Sequence, residues 1–206
     1  MADRFKCFLL VPTGRIEVYL RRYLSGSQCQ GPMGYHDAMT RIEDAPDHPQ
    51  ERANGDVIPG WIEDKPRDDP RWPVTCTCGF AFPESAAWQT FEQMIWRRED
   101  TGEEFTLRDA PIGAMWDASW LHGHPQWVGA DGRCLIVRTP GGDWMIDSRC
   151  RNCTMPDDNV HKCWVRHGEP PNITVDKNGN TCSAGAGSIL CGSYHGFLRE
   201  GYLDPC

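Results

Sequence analysis

Residues 150–168 read CRNCTMPDDNVHKCWVRHG, and this stretch decides how the rest of the chain is interpreted. Cys150 and Cys153 form a Cys-x2-Cys pair, and Cys163 and His167 follow as a Cys-x3-His pair. Thiolates and imidazoles at these spacings are typical ligands of a tetrahedral zinc ion. The stretch therefore predicts a small loop that is held in its fold by a metal.

The ligand set of this site is open to competition. His161 and Cys182 lie near enough in the sequence to replace Cys150 or His167. Four protein ligands would make a closed structural site, whereas three ligands and a water would make a catalytic one.

A second site is predicted in the N-terminal half. Residues 76–79 read CTCG and resemble a zinc knuckle, in which a small residue after the second cysteine lets backbone amides approach the sulfur. Cys29 and His36 lie seven residues apart in a loop rich in glycine, and they can supply a second chelating pair. We therefore expect Cys29, His36, Cys76 and Cys78 to bind one metal ion, so that the chain holds one or two zinc ions in all.

The composition bounds the class of protein. Of 206 residues, 39% are hydrophobic and 24% are charged, which is typical of a folded globular chain. The 21 glycines and 16 prolines favour many turns and short strands. The net charge of -8, with scattered basic residues, counts against a nucleic-acid partner, because that function needs clustered Lys and Arg.

The eleven cysteines fit either disulfides or metal ligands. The apolar run at residues 7–11 is too short for a signal peptide or a membrane span, so we expect a reduced, cytosolic protein with no membrane partner. Cys7 and Cys134 lie in apolar runs and are predicted to be buried core thiols.

The patterns predict an α+β, β-rich fold of short antiparallel strands and hairpins with one or two helices, stapled by structural zinc. A helix is expected from Pro83 to Arg98, because Trp88, Phe91 and Ile95 would share one face. A shorter helix is expected near residues 114–121. The predicted strands, turns and hairpins are strands at 5–11 and 16–20 joined by a turn at 12–15, a short strand within 57–62, a hairpin of 133–139 with 143–147, and a pair of 194–198 with 202–203.

Two regions are expected: residues 1–128, a β-rich region with the knuckle and the helix, and residues 129–206, an antiparallel region with the Cys/His cluster. The alternative is one continuous domain. His195 is a candidate general base or ligand, although no partner acid can be identified, and a hydrogen-bonded histidine in a turn explains it more simply.

Several stretches resemble a group of uncharacterised proteins encoded by tailed bacteriophages, over most of the chain from about residue 70 onward. The resemblance implies a phage origin and metal binding, and it brings no catalytic residue. It also counts against Cys150 as a ligand, which favours His161 or Cys182. The stretches that carry the resemblance are residues 76–82, 98–102, 109–118, 163–171, 175–179, 184–189 and 194–198.

Together these features predict a phage-encoded, zinc-stabilised structural or interaction protein, either a minor virion component or an accessory protein. Its partners would be phage or host proteins, and it would reside in the host cytoplasm or the virion. The alternative is a zinc-dependent hydrolase with a metal-bound water in the C-terminal cluster and His195 or His161 as the acid or base.

Overall fold

The computed structural model describes residues 4–29, 34–46, 50–51, 57–58, 65–150, 152–179, 182 and 187–206. Within these ranges the chain is β-rich, and its helical content is one 3-10 turn, Ser119–Leu121. The strands, numbered in chain order, are β1 (Phe5–Lys6), β2 (Phe8–Leu24), β3 (His36–Pro46), β4 (Gln50–Glu51), β5 (Val57–Ile58), β6 (Ala87–Arg98), β7 (Glu104–Thr106), β8 (Ala114–Asp117), β9 (Leu135–Thr139), β10 (Gly142–Met145), β11 (Val165–His167), β12 (Thr174–Asp176), β13 (Ile189–Cys191), β14 (Tyr194–Arg199) and β15 (Tyr202–Pro205).

The predicted antiparallel β-rich character is confirmed, and so are two hairpins. Strand β9 pairs with β10 from Thr139↔Gly142 to Ile136↔Met145. Strand β14 pairs with β15 through the Glu200-Gly201 turn, where both residues have positive φ. Within 57–62 the structure describes the two residues of β5, and the remaining positions lie outside the described residues.

Both predicted helices are wrong. Residues 87–98 form strand β6, and residues 114–121 form strand β8 followed by the 3-10 turn. The segment of β6 is rich in aromatic and β-branched residues, which pack well on a pleated sheet, and β2 is its neighbour in the same sheet. Pairing in the sheet thus outweighs an apolar spacing that a helix could also have used.

The predicted turn at residues 12–15 is also wrong, because β2 runs without a break through Pro12. Gly14 has φ +72, a conformation that glycine adopts without steric cost, so the strand continues through this position. Within the same region the hydroxyl of Thr13 donates a hydrogen bond of 2.8 Å to the Ile95 carbonyl of β6.

The chain divides into two compact units. Unit 1 comprises Met1–Val11, Glu51–Ile58 and Trp96–Cys206, and unit 2 comprises Pro12–Gln50 and Pro59–Ile95. The predicted boundary between residues 128 and 129 falls within the range Trp96–Cys206 of unit 1. The C-terminal region is part of a larger unit that also takes the first strand of the chain.

Unit 1 holds a six-stranded sheet of order β1-β15-β14-β12-β11, with β13 on β14. Strands β10, β9 and β8 belong to a second sheet, and β8 pairs in parallel with the start of β2 at Phe8 and Leu9. Residues from both sheets of the unit form one buried cluster, which includes Met115, Val137, Ile173, Leu198 and Leu203. Cys7 is 1% exposed and Cys134 0%, which confirms them as buried thiols.

In unit 2, β3 pairs with β2 from Arg15↔Pro46 to Leu24↔His36, with a bulge between Val18 and Tyr19. Buried residues of β2 point to one face of this ribbon. Among the described residues of the whole chain, the structure contains no helix with the length and apolarity needed to cross a membrane.

Candidate metal centres

The four predicted residues of the N-terminal site lie together in unit 2. The sulfurs of Cys29, Cys76 and Cys78 and one ring nitrogen of His36 are all within 4.8 Å of one another. We call this group the Cys76 centre.

The Cys76–Gly79 turn is formed by a tight hairpin. Thr75 and Ala81 form a bridge, the Cys76 N–H donates to the Phe80 carbonyl, and the Gly79 N–H donates to the Cys76 carbonyl, the last two at 2.8 Å. Gly79 has φ +89, which favours glycine, so the residue after the second cysteine is small for a backbone reason. The turn places both thiols at one tip.

The second pair of the Cys76 centre comes from the β2–β3 connection. Leu24 at the end of β2 pairs with His36 at the start of β3, and the His36 N–H donates to the Ser27 hydroxyl at 3.1 Å. The register of this ribbon therefore fixes where His36 stands relative to Cys29.

Two measured separations in the Cys76 centre are close to the edges of a zinc tetrahedron, and all of them are within 4.8 Å. Ordinary Zn–S and Zn–N distances separate two sulfur ligands by about 3.8 Å and a sulfur from a nitrogen by about 3.6 Å. The Cys29 and Cys76 sulfurs are 3.9 Å apart, and the Cys78 sulfur is 3.4 Å from His36 Nδ1. A disulfide would need about 2.05 Å between sulfurs, and none of the eleven cysteines, all of which lie in the described ranges, forms one.

The surroundings of Cys76 favour its thiolate. Burial raises the pKa of Cys76, but hydrogen bonds from the Cys78 backbone N–H and from His36 outweigh burial and lower it to about 6. The His36 ring stacks on Phe80, with centroids 3.8 Å apart and planes 4° from parallel. The hairpin thus prepares a charged sulfur and fixes the orientation of the imidazole.

A second group lies in unit 1 and contains Cys153, His161, Cys163 and Cys182, whose ligand atoms are also within 4.8 Å of one another. The Cys163 sulfur is 3.7 Å from His161 Nε2 and 3.5 Å from the Cys182 sulfur. These separations are again close to tetrahedral edges. We call this group the Cys163 centre.

Local turns position the ligands of the Cys163 centre. The Cys153 N–H donates to the Cys150 carbonyl at 3.1 Å, and the Met155 N–H donates to the Cys153 sulfur at 3.4 Å. The Asp158 carboxylate accepts the His161 N–H at 3.1 Å and so ends the turn that presents the imidazole.

The Arg149 side chain cross-links the same loop by hydrogen bonds to its backbone. Its Nε donates to the His161 carbonyl at 3.1 Å, and its Nη1 donates to the carbonyls of Met155 and Pro156 at 3.3 and 3.0 Å. The described residues between β10 and β11, from 146 to 150 and from 152 to 164, contain no strand or helix, and a loop of this length in a compact unit needs such cross-links.

The Cys163 centre sits against the core of unit 1. Cys163 is fully buried and His161 is 8% exposed. Burial raises the pKa of the Cys163 thiol to about 12. The neighbouring Trp164 packs edge-to-face on Trp144, with ring centroids 5.5 Å apart.

Cys150 and His167, two of the four predicted ligands, are not members of this group. His167 lies on β11, is exposed, and its Nε2 is 2.9 Å from the Asp176 carboxylate on the paired strand β12. The Cys150 sulfur accepts a hydrogen bond from Lys177 Nζ at 3.1 Å. His161 and Cys182, which the sequence offered as alternatives, take the two places.

The side chain of His195 contacts a serine hydroxyl. Its Nε2 is 3.1 Å from the hydroxyl of Ser188, and its residue pairs with Leu190 across the β13–β14 ribbon. This partner is a hydroxyl and not a carboxylate, so among the described residues the contact of His195 is not the acid–histidine pair of a catalytic triad.

Both groups have three sulfurs and one imidazole nitrogen. Soft thiolates with one imidazole suit Zn²⁺, which prefers four such ligands in a tetrahedron. The residues present therefore fit zinc at both places. Comparison with family models, with curated proteins and with solved structures gives no match for this chain.

Proposed function

We propose that this protein is a zinc-stabilised interaction protein with one structural zinc ion in each unit. The observation that supports this most directly is the completeness of both donor sets, each with four ligand atoms within 4.8 Å. Metal bound by four protein ligands closes its own coordination sphere and serves to hold loops together.

The hydrolase alternative needs an open coordination position for water. In the Cys163 centre, His161 would be a ligand and could not also act as the acid or base. The donor geometry therefore supports the structural role over the catalytic one.

An interaction role draws support from the surface of the Cys76 hairpin. Val74 is 70% exposed and Phe80 39% exposed, and both lie at the knuckle that the metal would hold. A rigid turn that presents apolar side chains is a suitable contact for a protein partner.

The biological setting that we propose is a bacteriophage, as a minor virion component or as an accessory protein that acts on host machinery in the cytoplasm. This placement rests on the sequence resemblance alone. It is tested by mass spectrometry of purified particles and of infected-cell lysate: recovery in particles supports the virion role, and recovery in lysate alone supports the accessory role. Recovery in neither overturns the phage assignment.

The structural role is tested by replacing zinc with Co²⁺ and recording the visible spectrum. We expect intense bands of four-coordinate cobalt with thiolate charge transfer, unchanged by added azide, because no position is open to an outside ligand. A spectrum that changes on azide addition would contradict the closed sites and favour the hydrolase.

A further inference from the structure

A cleft of about 550 Å³ opens in unit 1 beside the Cys163 centre. Its lining includes residues 128–131, 160–162 and 164–166, and three valines supply apolar surface: Val128, Val160 and Val165. Two exposed carboxylates, Asp131 and Glu169, lie at its rim, and a third carboxylate, Asp147, lies in its lining with only 5% exposure.

Asp147 is a buried carboxylate without hydrogen bonds. Its Oδ2 is inaccessible and accepts no hydrogen bond from the described residues, and the nearest cation is Arg166, whose Nη2 stands 3.5 Å away. A buried carboxylate oxygen that lacks a donor is costly. Burial raises the pKa of Asp147 to about 6 even though the charge of Arg166 opposes this.

The two cations of the cleft already have other partners. Arg166 donates from Nη1 to Asp131 at 3.1 Å and also contacts Asp131 through Nη2. Lys162 Nζ donates to the carbonyls of Pro125 and Val160 at 2.6 and 3.0 Å. Oδ2 of Asp147 is thus closed off beside Arg166, so the oxygen that a ligand in the cleft would contact is Oδ1, and the two cations of the cleft are held by other partners.

Gly129 lets the backbone approach the ion pair of the cleft closely. A Cβ atom there would collide with Arg166 Nη2 and lie 2.9 Å from Asp147 Oδ1, so no larger residue fits without displacing the ion pair. The glycine therefore fixes where Arg166 and Asp147 stand in the cleft wall.

We propose that this cleft binds a primary alkylammonium group, the head group of a lysine side chain on a protein partner. The three carboxylates outnumber the two cations, which leaves the cleft with a local charge of about -1 when all are ionised. The valine walls suit the aliphatic stem of such a side chain, with the ammonium at Asp147.

An ammonium fits this carboxylate better than a guanidinium does. A guanidinium binds a carboxylate best through both oxygens, but Oδ2 of Asp147 faces Arg166. An ammonium is a compact point charge that can bind through a single oxygen. This inference specifies the partner chemistry of the proposed interaction role, but it does not depend on which metal is bound.

The test uses the zinc-loaded full chain, with its zinc content measured on the same sample. Nα-acetyl-lysine methylamide is titrated in and followed by two-dimensional amide NMR. We expect saturable shifts near Gly129, Asp147 and Lys162, at least about tenfold weaker binding of the neutral Nε-acetylated analogue, and weaker binding of the arginine analogue.

Asp147→Asn should weaken binding by about tenfold or more, because the amide keeps the shape and removes the charge. Asp143→Asn is the matched control: Asp143 is exposed on β10, pairs with Arg138, and is outside the cleft. Equal affinity for the neutral analogue, unchanged affinity in Asp147→Asn, or no saturable shifts in a zinc-replete sample would overturn the proposal. Loss of zinc with lysine binding retained would count against the metal centres and not against the cleft.

Discussion

The two candidate metal centres have the same donor atoms but lie beside buried clusters of different size. The buried cluster beside the Cys76 centre consists, among the described residues, of Cys76, Phe82 and Ala86. The cluster beside the Cys163 centre belongs to the main core of unit 1, where Trp144, Ile173 and Leu198 pack. With zinc bound as we propose, the same donor set would replace a core in unit 2 and would fix a long loop to an existing core in unit 1.

Chelation of zinc should therefore act unequally on the two regions, and this is the largest effect we expect. Removal of metal should lower the free energy of opening, as reported by amide hydrogen exchange, by several kcal/mol at residues 34–38 and 74–82. The reason is that structural zinc contributes roughly 10 kcal/mol or more to the folding of small sites. Strands β14 and β15 should stay protected by their packing. Hydrogen exchange with and without chelator measures this protection. Equal loss of protection in both regions would show that the two regions depend on metal to the same extent.

The substitution Cys78→Ser tests metal binding at the Cys76 centre. Cys78 is exposed, so the change removes no packing and should matter only if the sulfur binds metal. We expect the loss of one zinc ion per chain and a fall in the unfolding free energy of unit 2 by roughly 3 kcal/mol or more.

Cys206→Ser is the control, because Cys206 is also exposed and belongs to neither group. The substitution Cys206→Ser should change the unfolding free energy by no more than about 0.5 kcal/mol. If the two variants behave alike, Cys78 does not bind metal.

On the other side, a pair of histidine substitutions distinguishes the ligand set found in the structure from the one predicted from spacing. His161→Gln should release the zinc of the Cys163 centre, whereas His167→Gln should keep it and cost about 1 kcal/mol or less, as expected for an exposed ion pair with Asp176. Zinc content of each purified variant measures this. Release in His167→Gln with retention in His161→Gln would restore the sequence-based ligand set.

The smallest expected effect concerns Asp147, in the region that has its own core. Its pKa of about 6 in the folded state exceeds the value near 4 of an unfolded aspartate, so the folded state binds the extra proton between these values. Its contribution to stability is thus fully present below about pH 4 and is lost as pH rises through about 6.

Asp147→Asn removes that dependence on pH. The free energy of unfolding of the variant, relative to that of the natural chain, should therefore rise by up to about 3 kcal/mol between pH 4 and pH 7. Proton release by the metal ligands cancels in the difference between the two proteins. Denaturant unfolding at several pH values measures this difference, and a value that does not vary with pH would show that the carboxylate is not perturbed.

The grouping of the Cys76 centre could be predicted because its ligands come as two pairs, each held by a local turn or by neighbouring strand ends. The Cys163 centre could not be completed in the same way. His161 and His167 both lie within four residues of Cys163 in sequence, and the pairing of β11 with β12 places the His167 side chain beside Asp176 and exposed to solvent. Cys182 reaches the site from beyond β12, which no local spacing reports.

The secondary structure shows the same limit. The hairpins of β9 with β10 and of β14 with β15 could be predicted because turn residues and alternation both lie within a short stretch. The segment of β6 could not, because Trp88, Phe91 and Ile95 suit either a helix face or a sheet, and the neighbouring strand β2 decides.

The central claim is that each unit holds one zinc ion between three thiolates and an imidazole. Native mass spectrometry of the purified, reduced chain tests it most directly. We expect a mass that corresponds to two bound zinc ions, reduced to one in Cys78→Ser and to one in His161→Gln. A chain without zinc, or one whose mass shows oxidised cysteine pairs in place of metal, would contradict it.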